Sequence, residues 1–200
     1  MFYTLEGIDG AGCGVVRREL EKLLRQANIN FETLKYPVPS LPFGRDIYDY
    51  LDGKFEMPTQ AQFLAFIGQM LIEKSRIKTL RRHILIIDRY LPCTLVFQGA
   101  KGFPLEKGLE LAKLLELETP DRIFYLKVPW QVAYDRKNKE SRQSDVHEAN
   151  PELFRKTALL YNKVAKAQIL APWSVIDATQ TPQEEAEQIF EFILKDLKHV

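Results

Sequence analysis

The sequence predicts an α/β protein built on an open five-stranded parallel sheet with helices on both faces. Three observations predict it. Short apolar segments alternate with longer segments of helical periodicity along the whole chain. The run Ile84-Leu85-Ile86-Ile87-Asp88 is apolar at consecutive positions, as expected of a strand buried on both faces in the middle of a parallel sheet. The composition, 200 residues with 46% hydrophobic and 11% aromatic side chains, supports a sizeable core and argues against disorder.

The elements follow in order. Phe2-Tyr3-Thr4-Leu5-Glu6 reads as a strand, and Gly7 to Gly12 as a turn. Val15 to Ala27 carries Val16, Leu20, Leu23 and Leu24 at helical spacing. Phe31 to Tyr36 is a second strand, followed by a loop containing Pro37, Pro39 and Pro42. A short helix is expected over about 44–52 and one long helix over about 58–81. After the strand at 84–88, residues 105–117 read as helix and 122–128 as strand. The polar stretch 135–150, with Arg136, Lys137, Lys139 and Arg142, has the composition of a lid. Helix is expected from about 151 to 170, a last strand at 173–177, and helix from Pro182 onward. Ligands of such sheets lie beyond the carboxyl ends of the strands. The chemistry should therefore gather at Glu6-Gly7, Tyr36-Pro37, Asp88-Arg89 and Asp177-Ala178.

Charge narrows the function classes. Lys and Arg total 28 against 27 Asp and Glu, a formal charge of +1. That balance does not suit a broad nucleic-acid surface. No apolar run reaches the ~18 residues of a membrane span. The N-terminal segment has neither the basic nor the apolar region of a secretory signal, so a cytoplasmic location is expected. Cys13 and Cys93 are then expected as reduced thiols. His83, His147 and His199 lack metal-ligand spacing.

Gly7-Ile8-Asp9-Gly10-Ala11-Gly12-Cys13-Gly14, between the first strand and a helix, follows the phosphate-loop pattern G-x4-G-K-[ST] in its glycines. Such a loop aims several N–H groups at one anion in front of a helix N-terminus. A tight turn with no ligand is the plainer alternative. The pattern fails where it should supply a lysine for the β- and γ-phosphates and a hydroxyl for magnesium, because Cys13 and Gly14 stand there. Arg17 and Arg18, one turn on, read as surface residues of an amphipathic helix, with either one open as a substitute charge. Cys13 is either a thiol activated by the helix N-terminus or a neutral gap-filler.

In these motifs the chain resembles the thymidylate kinase family of P-loop nucleoside monophosphate kinases, over essentially its whole length. Phe2 to Gly12 resembles F-x-x-x-E-G-x-D-G-x-G, including Asp9. Asp88-Arg89-Tyr90 resembles D-R-Y, and Phe97-Gln98-Gly99-Ala100 resembles A-Y-Q-G-A. Thr119-Pro120-Asp121 with Ala133-Tyr134-Asp135-Arg136 resembles the P-D…A-x-x-R run. The resemblance implies a three-layer P-loop NTPase-like fold with a short lid, ATP and Mg2+ as cofactors, a deoxynucleoside monophosphate as acceptor, and a homodimer. It implies that Gly7, Gly10, Ala11, Gly12, Cys13 and Gly14 hold the donor phosphates, with Asp177 and Ala178 beside the adenine. Asp9 and Arg89 would position the acceptor, Arg136 and Arg142 would neutralise developing charge, and Asp88 would serve the metal. Phe66, Met70, Arg89 and Gln98 would bind the substrate, Phe66 by stacking on the base. His147, in Asp145-Val146-His147-Glu148 after the lid, reads as a surface residue. The long helix, with Phe63, Phe66, Ile67 and Leu71, would serve core and dimer interface alike.

The departures are all at charged or hydroxylated positions. Besides Cys13 and Gly14, Val38 replaces an acid after Pro37, the acceptor-phosphate Arg is missing, and Met70 replaces a base-reading Arg. Arg45 is a possible replacement for the acceptor-phosphate cation. Three readings follow: a dTMP kinase, a nucleotide-binding homologue impaired in catalysis, or a kinase for a different acceptor.

Overall fold

A computed structural model describes residues 1–140 and 150–198. Its five strands are β1 (Phe2–Glu6), β2 (Phe31–Lys35), β3 (Ile84–Asp88), β4 (Arg122–Lys127) and β5 (Trp173–Asp177). They form one sheet in the order β2-β3-β1-β4-β5, with every pair parallel. Tyr3 lies opposite Ile86 on one side and Arg122 on the other. β1 and β3 are buried at all five positions, which is why their sequences are continuous apolar runs rather than alternating ones. The edge strand β2 is only partly buried. After β3 the chain crosses β1 to add β4 on the far side, so the ends of β1 and β3 border the crevice where the strand order reverses.

Nine helices surround the sheet among the described residues: α1 (Cys13–Gln26), α2 (Gly44–Leu51), α3 (Thr59–Ile72), α4 (Lys74–Leu80), α5 (Leu91–Ala100), α6 (Leu105–Leu114), α7 (Trp130–Glu140), α8 (Pro151–Lys166) and α9 (Pro182–Leu197). Side chains alternate across the sheet. Tyr3, Leu5 and Phe124 point into the layer of α1 and α9. Glu6 and Tyr125 point at Tyr161 of α8, where the two tyrosine rings stack at 5.2 Å. Phe2, Ile87 and Tyr90 meet Phe63, Ile67 and Met70 of α3 in a second core. The outcome is three layers, helix on sheet on helix.

Three expectations change. The helix expected over 58–81 is two helices that meet at Glu73, whose ψ near zero interrupts the regular turn. Residues 91–100 form α5, with Pro92 in the first turn, where a missing N–H costs nothing. The first part of the expected lid at 135–150 belongs to α7; residues 141–149, including Arg142, Asp145 and His147, lie outside the described residues.

Side-chain caps close the starts of α8 and α9, whereas α1 to α6 begin without one. Thr181 and Glu184 form a reciprocal capping box on α9, and Asn150 caps α8 by accepting from the Leu153 N–H. No side chain caps α1: Gly12 precedes it at φ 96°. Its first N–H groups therefore stay available.

Leu20 of α1 is fully buried, so Leu20→Ala should lower stability by about 2–5 kcal/mol. Leu114 on α6 is 78% exposed, and Leu114→Ala should stay within about 0.5 kcal/mol. Urea unfolding of both variants checks the assignment; equal losses would contradict it.

Candidate active site

The glycine loop starts where β1 ends. Gly10 has φ 76°, and a Cβ there would lie 2.2 Å from the Ala133 carbonyl oxygen of α7. Only glycine allows that approach. Ala11 N–H donates to the Ile8 carbonyl at 3.1 Å, and the Gly12 carbonyl accepts from Val15 and Val16. The N–H groups of Gly12, Cys13 and Gly14 make no hydrogen bond among the described residues. Three free donors at an uncapped helix start form an anion site. Cys13 does not point into it. Its side chain is 4% exposed and part of the core, with Sγ 3.4 Å from the position of a Gly7 Cβ.

Asp88 and Arg89 leave β3 beside this loop. Arg89 has φ 66°, a conformation costing of order 1–3 kcal/mol in a non-glycine residue. Neighbouring strands hold it there. Arg89 N–H donates to the Leu5 carbonyl at 3.1 Å, and the Asp88 carbonyl accepts from Tyr36 N–H. Tyr90 N–H donates to Glu6 Oε1 at 3.1 Å. The guanidinium then donates to Asp9 Oδ1 at 2.7 Å and to the Gly7 carbonyl at 3.2 Å. Asp88 is 1% exposed and its Oδ2 has no hydrogen-bond partner among the described residues. That oxygen lies 3.5 Å from where a Gly14 Cβ would be. Arg17, expected on the surface, is mostly buried: its Nε stands 3.8 Å from Asp88 Oδ2, and it also pairs with Glu21.

Arg89 also lines a cavity of about 280 Å³. Phe66 and Met70 line it from α3, Phe97 and Gln98 from α5, and Asp9 from the loop. Phe66, Met70, Arg89, Gln98 and Asp9 are thus brought together. Gln98 is 2% exposed and its Oε1 has no partner among the described residues. Met70 is buried in the core as well as bordering the cavity. Arg45 does not take part: it is 90% exposed and faces Asp49 at 3.6 Å. The cations at the cavity wall are instead Lys35 and Lys137. Lys35 sits at the very end of β2 without a motif to mark it, and Lys137 stands out in the sequence only as one cation of the polar stretch 135–150. Gln69, a buried amide inside an apolar helix, is likewise unmarked by any motif. Gln69 accepts from Val38 N–H at 2.9 Å and donates to the Val38 carbonyl at 2.8 Å, which ties the segment after Pro37 to α3.

At the far side, Arg136 donates to the Ala178 carbonyl at 3.1 Å, so α7 meets the end of β5. Asp177 spends its carboxylate locally, accepting from Thr179 N–H and Oγ1. No cluster of three or more His, Cys, Asp or Glu side chains suited to a metal occurs among the described residues. Beside the loop, the carboxylate that would be open to a magnesium ion is Asp88, whose Oδ2 has no hydrogen-bond partner among the described residues. This fits an ion that keeps several waters and binds through one or two carboxylates plus substrate phosphates.

Free loop amides, a strand-end Asp-Arg pair and a cavity bordering both define a P-loop phosphotransferase of the nucleoside monophosphate kinase class. The sequence model of the family described as Thymidylate kinase matches residues 5–189. The chain belongs to the thymidylate kinase family. It is 24% identical over 205 residues to the thymidylate kinase of Leptospira borgpetersenii serovar Hardjo-bovis (strain L550), covering 98% of this chain and 94% of that protein. It is 28% identical over 198 residues to the thymidylate kinase of Fervidobacterium nodosum, covering 94% of this chain and 96% of that protein. A probable thymidylate kinase of Caldivirga maquilingensis is 27% identical over 184 residues, with 90% and 86% covered.

Burial sets the protonation of the groups beneath the site. It pushes the Cys13 thiol well above its ordinary range, so Cys13 is neutral and the activated-thiol expectation fails. Burial also pushes Cys93 up to about 12, against the pull of Arg89. Glu6 is raised from 4.5 to about 8 by burial, opposed by Arg89 and the Tyr90 N–H. Below pH 4.5 Glu6 is protonated folded and unfolded alike. Between 4.5 and about 8 the unfolded chain loses a proton that the folded chain keeps, so stability falls as pH rises through that window. Glu185, raised by burial to about 7, acts in the same direction. Glu6→Gln should therefore remove the part of the decline that extends from pH 7 to 8 while keeping the acceptor for Tyr90 N–H. Urea midpoints measured from pH 5 to 9 check this; an unchanged slope would contradict it.

Proposed function

We propose that the protein transfers the γ-phosphoryl group of ATP to dTMP, giving dTDP and ADP. One observation carries the proposal: Asp9 of the free-amide loop and Arg89, bonded to that loop at Asp9 and Gly7, both line the 280 Å³ cavity. A donor triphosphate on the loop and a monophosphate in the cavity would then meet at one guanidinium. An oxygen of the dTMP phosphate attacks the γ-phosphorus, a new P–O bond forms, and the bond to the β,γ-bridging oxygen breaks as ADP leaves. Positioning and charge supply most of the catalysis of such transfers. Arg89 has the fork of donors to hold oxygens of both partners, and Asp9 fixes its orientation. Magnesium, when bound, would offset phosphate charge, with Asp88 as its protein anchor.

In the cavity, the Phe66 ring offers a stacking surface and Gln98 Oε1 an unpaired acceptor for a base N–H. Lys35 and Lys137 supply positive charge to the acceptor phosphate in place of the missing Arg. Arg136 and Arg142 are assigned to the donor side, Arg136 beside the Ala178 segment that would border the adenine. The chain is read as acting in the cytoplasm; among the described residues no helix is long and apolar enough to cross a membrane. It is read as pairing with a second copy through α3, where Leu64, Leu71 and Ile72 are exposed on one face.

A coupled ADP-release assay across the common nucleoside monophosphates should show turnover, highest with dTMP; background rates with all of them would overturn the assignment. Arg89→Ala should lower kcat/KM by roughly 10²–10³, the scale of losing one aimed donor to developing charge.

A further inference from the structure

The loop lacks its lysine, and Cys13 is neutral and turned into the core. The triphosphate would still bring concentrated negative charge to the start of α1. Two arginines lie near. Arg17 is already engaged with Asp88, Glu21 and Thr33. Arg18 makes no ion pair or hydrogen bond among the described residues. Yet its Nη1 lies 3.9 Å from where a Gly14 Cβ would be. The helix explains why. Positions 14 and 18 are one turn apart on the same face, and helical side chains lean toward the N-terminus. Arg18 therefore folds back over Gly14.

We infer that Arg18 is the donor-phosphate cation of this protein, and that Gly14 is the residue that admits it to the loop. The inference rests on the kinase reading above and names the group that serves it. A Cβ at position 14 would touch both Asp88 Oδ2, at 3.5 Å, and the Arg18 guanidinium, at 3.9 Å, so a longer side chain there would compete with them for the same space. With glycine there, the guanidinium reaches the first turn of α1, whose Gly12, Cys13 and Gly14 N–H groups are free to donate to an anion. Arg89, paired with Asp9, is committed to the point where donor and acceptor meet. The two departures from the loop pattern are then one exchange. Removing the residue-14 side chain opens the path by which a cation one turn away replaces the lysine at residue 13. Arginine suits the role, since its charge is permanent and its fork matches phosphate oxygens.

The test is calorimetric titration of wild type, Arg18→Ala and Arg18→Lys, using ATP, adenosine and dTMP as ligands. Wild type should bind ATP more tightly than adenosine. Arg18→Ala should weaken ATP binding by about 10- to 100-fold, the value of a charge-assisted bond to phosphate. It should leave adenosine and dTMP affinities within about two-fold. Arg18→Lys should retain part of the ATP affinity. Unchanged melting temperature is expected, because Arg18 holds no other residue. If Arg18→Ala binds ATP as wild type does, while wild type still prefers ATP to adenosine, the assignment of Arg18 is wrong and the kinase reading stands. If wild type does not distinguish ATP from adenosine, the kinase reading itself fails.

Discussion

The ion pair between Arg89 and Asp9, 2.7 Å long, joins two strand ends that are far apart in sequence and adjacent in the sheet. It exists because the backbone at Arg89 turns left-handed directly after β3. That conformation is unfavourable alone and is over-determined by its surroundings. Leu5 accepts the Arg89 N–H, Glu6 accepts the Tyr90 N–H, and Asp88 accepts the Tyr36 N–H. Strands β1, β2 and β3 thus all terminate on one three-residue turn. Sheet order, strand length and turn geometry must agree for the guanidinium to stand between loop and cavity. The central strands carry no polar alternation for the same reason: they are buried on both faces to fix those ends.

Charge in this site is relocated rather than absent. The lysine and hydroxyl of the loop pattern are gone, and so are the charged groups expected after Pro37. In their places the structure puts Arg17 against Asp88, Arg18 over Gly14, and Lys35 with Lys137 at the cavity wall. Net charge stays at +1 throughout, so the total carries no information about binding a polyanion. Long basic side chains reach a site from a turn or a strand away, and a motif written as consecutive positions cannot record that.

Much of the fold was legible. β1, β3 and β5 each end in an acid at the sheet's carboxyl edge, Glu6, Asp88 and Asp177, and apolar runs closed by a charge locate strand ends well. α5 was harder because Thr94, Val96 and Gly99 are weak helix formers whose positions are decided by packing against α3 and α8. α7 was masked by its charges: Asp135, Arg136, Lys137 and Lys139 read as part of a polar lid. In the site, Asp9, Phe66, Arg89 and Gln98 could be singled out from residue type and motif. Arg17 could not, since helical periodicity places it outward while a carboxylate from β3 draws it in. Arg45 misled because its side chain turns out to solvent beside Asp49 although its helix packs on the segment after Pro37, whereas Lys35 is carried to the cavity by the strand itself.

The central claim is that two nucleotide sites meet at Asp9 and Arg89. Amide chemical-shift mapping tests it most directly, with ATP and dTMP titrated separately into the labelled protein. ATP should move the resonances of Gly10 to Gly14, dTMP those of Phe66 and Gln98, and both should move Asp9 and Arg89. Shifts from ATP that spare the loop, or two ligands with no residues in common, would contradict the account.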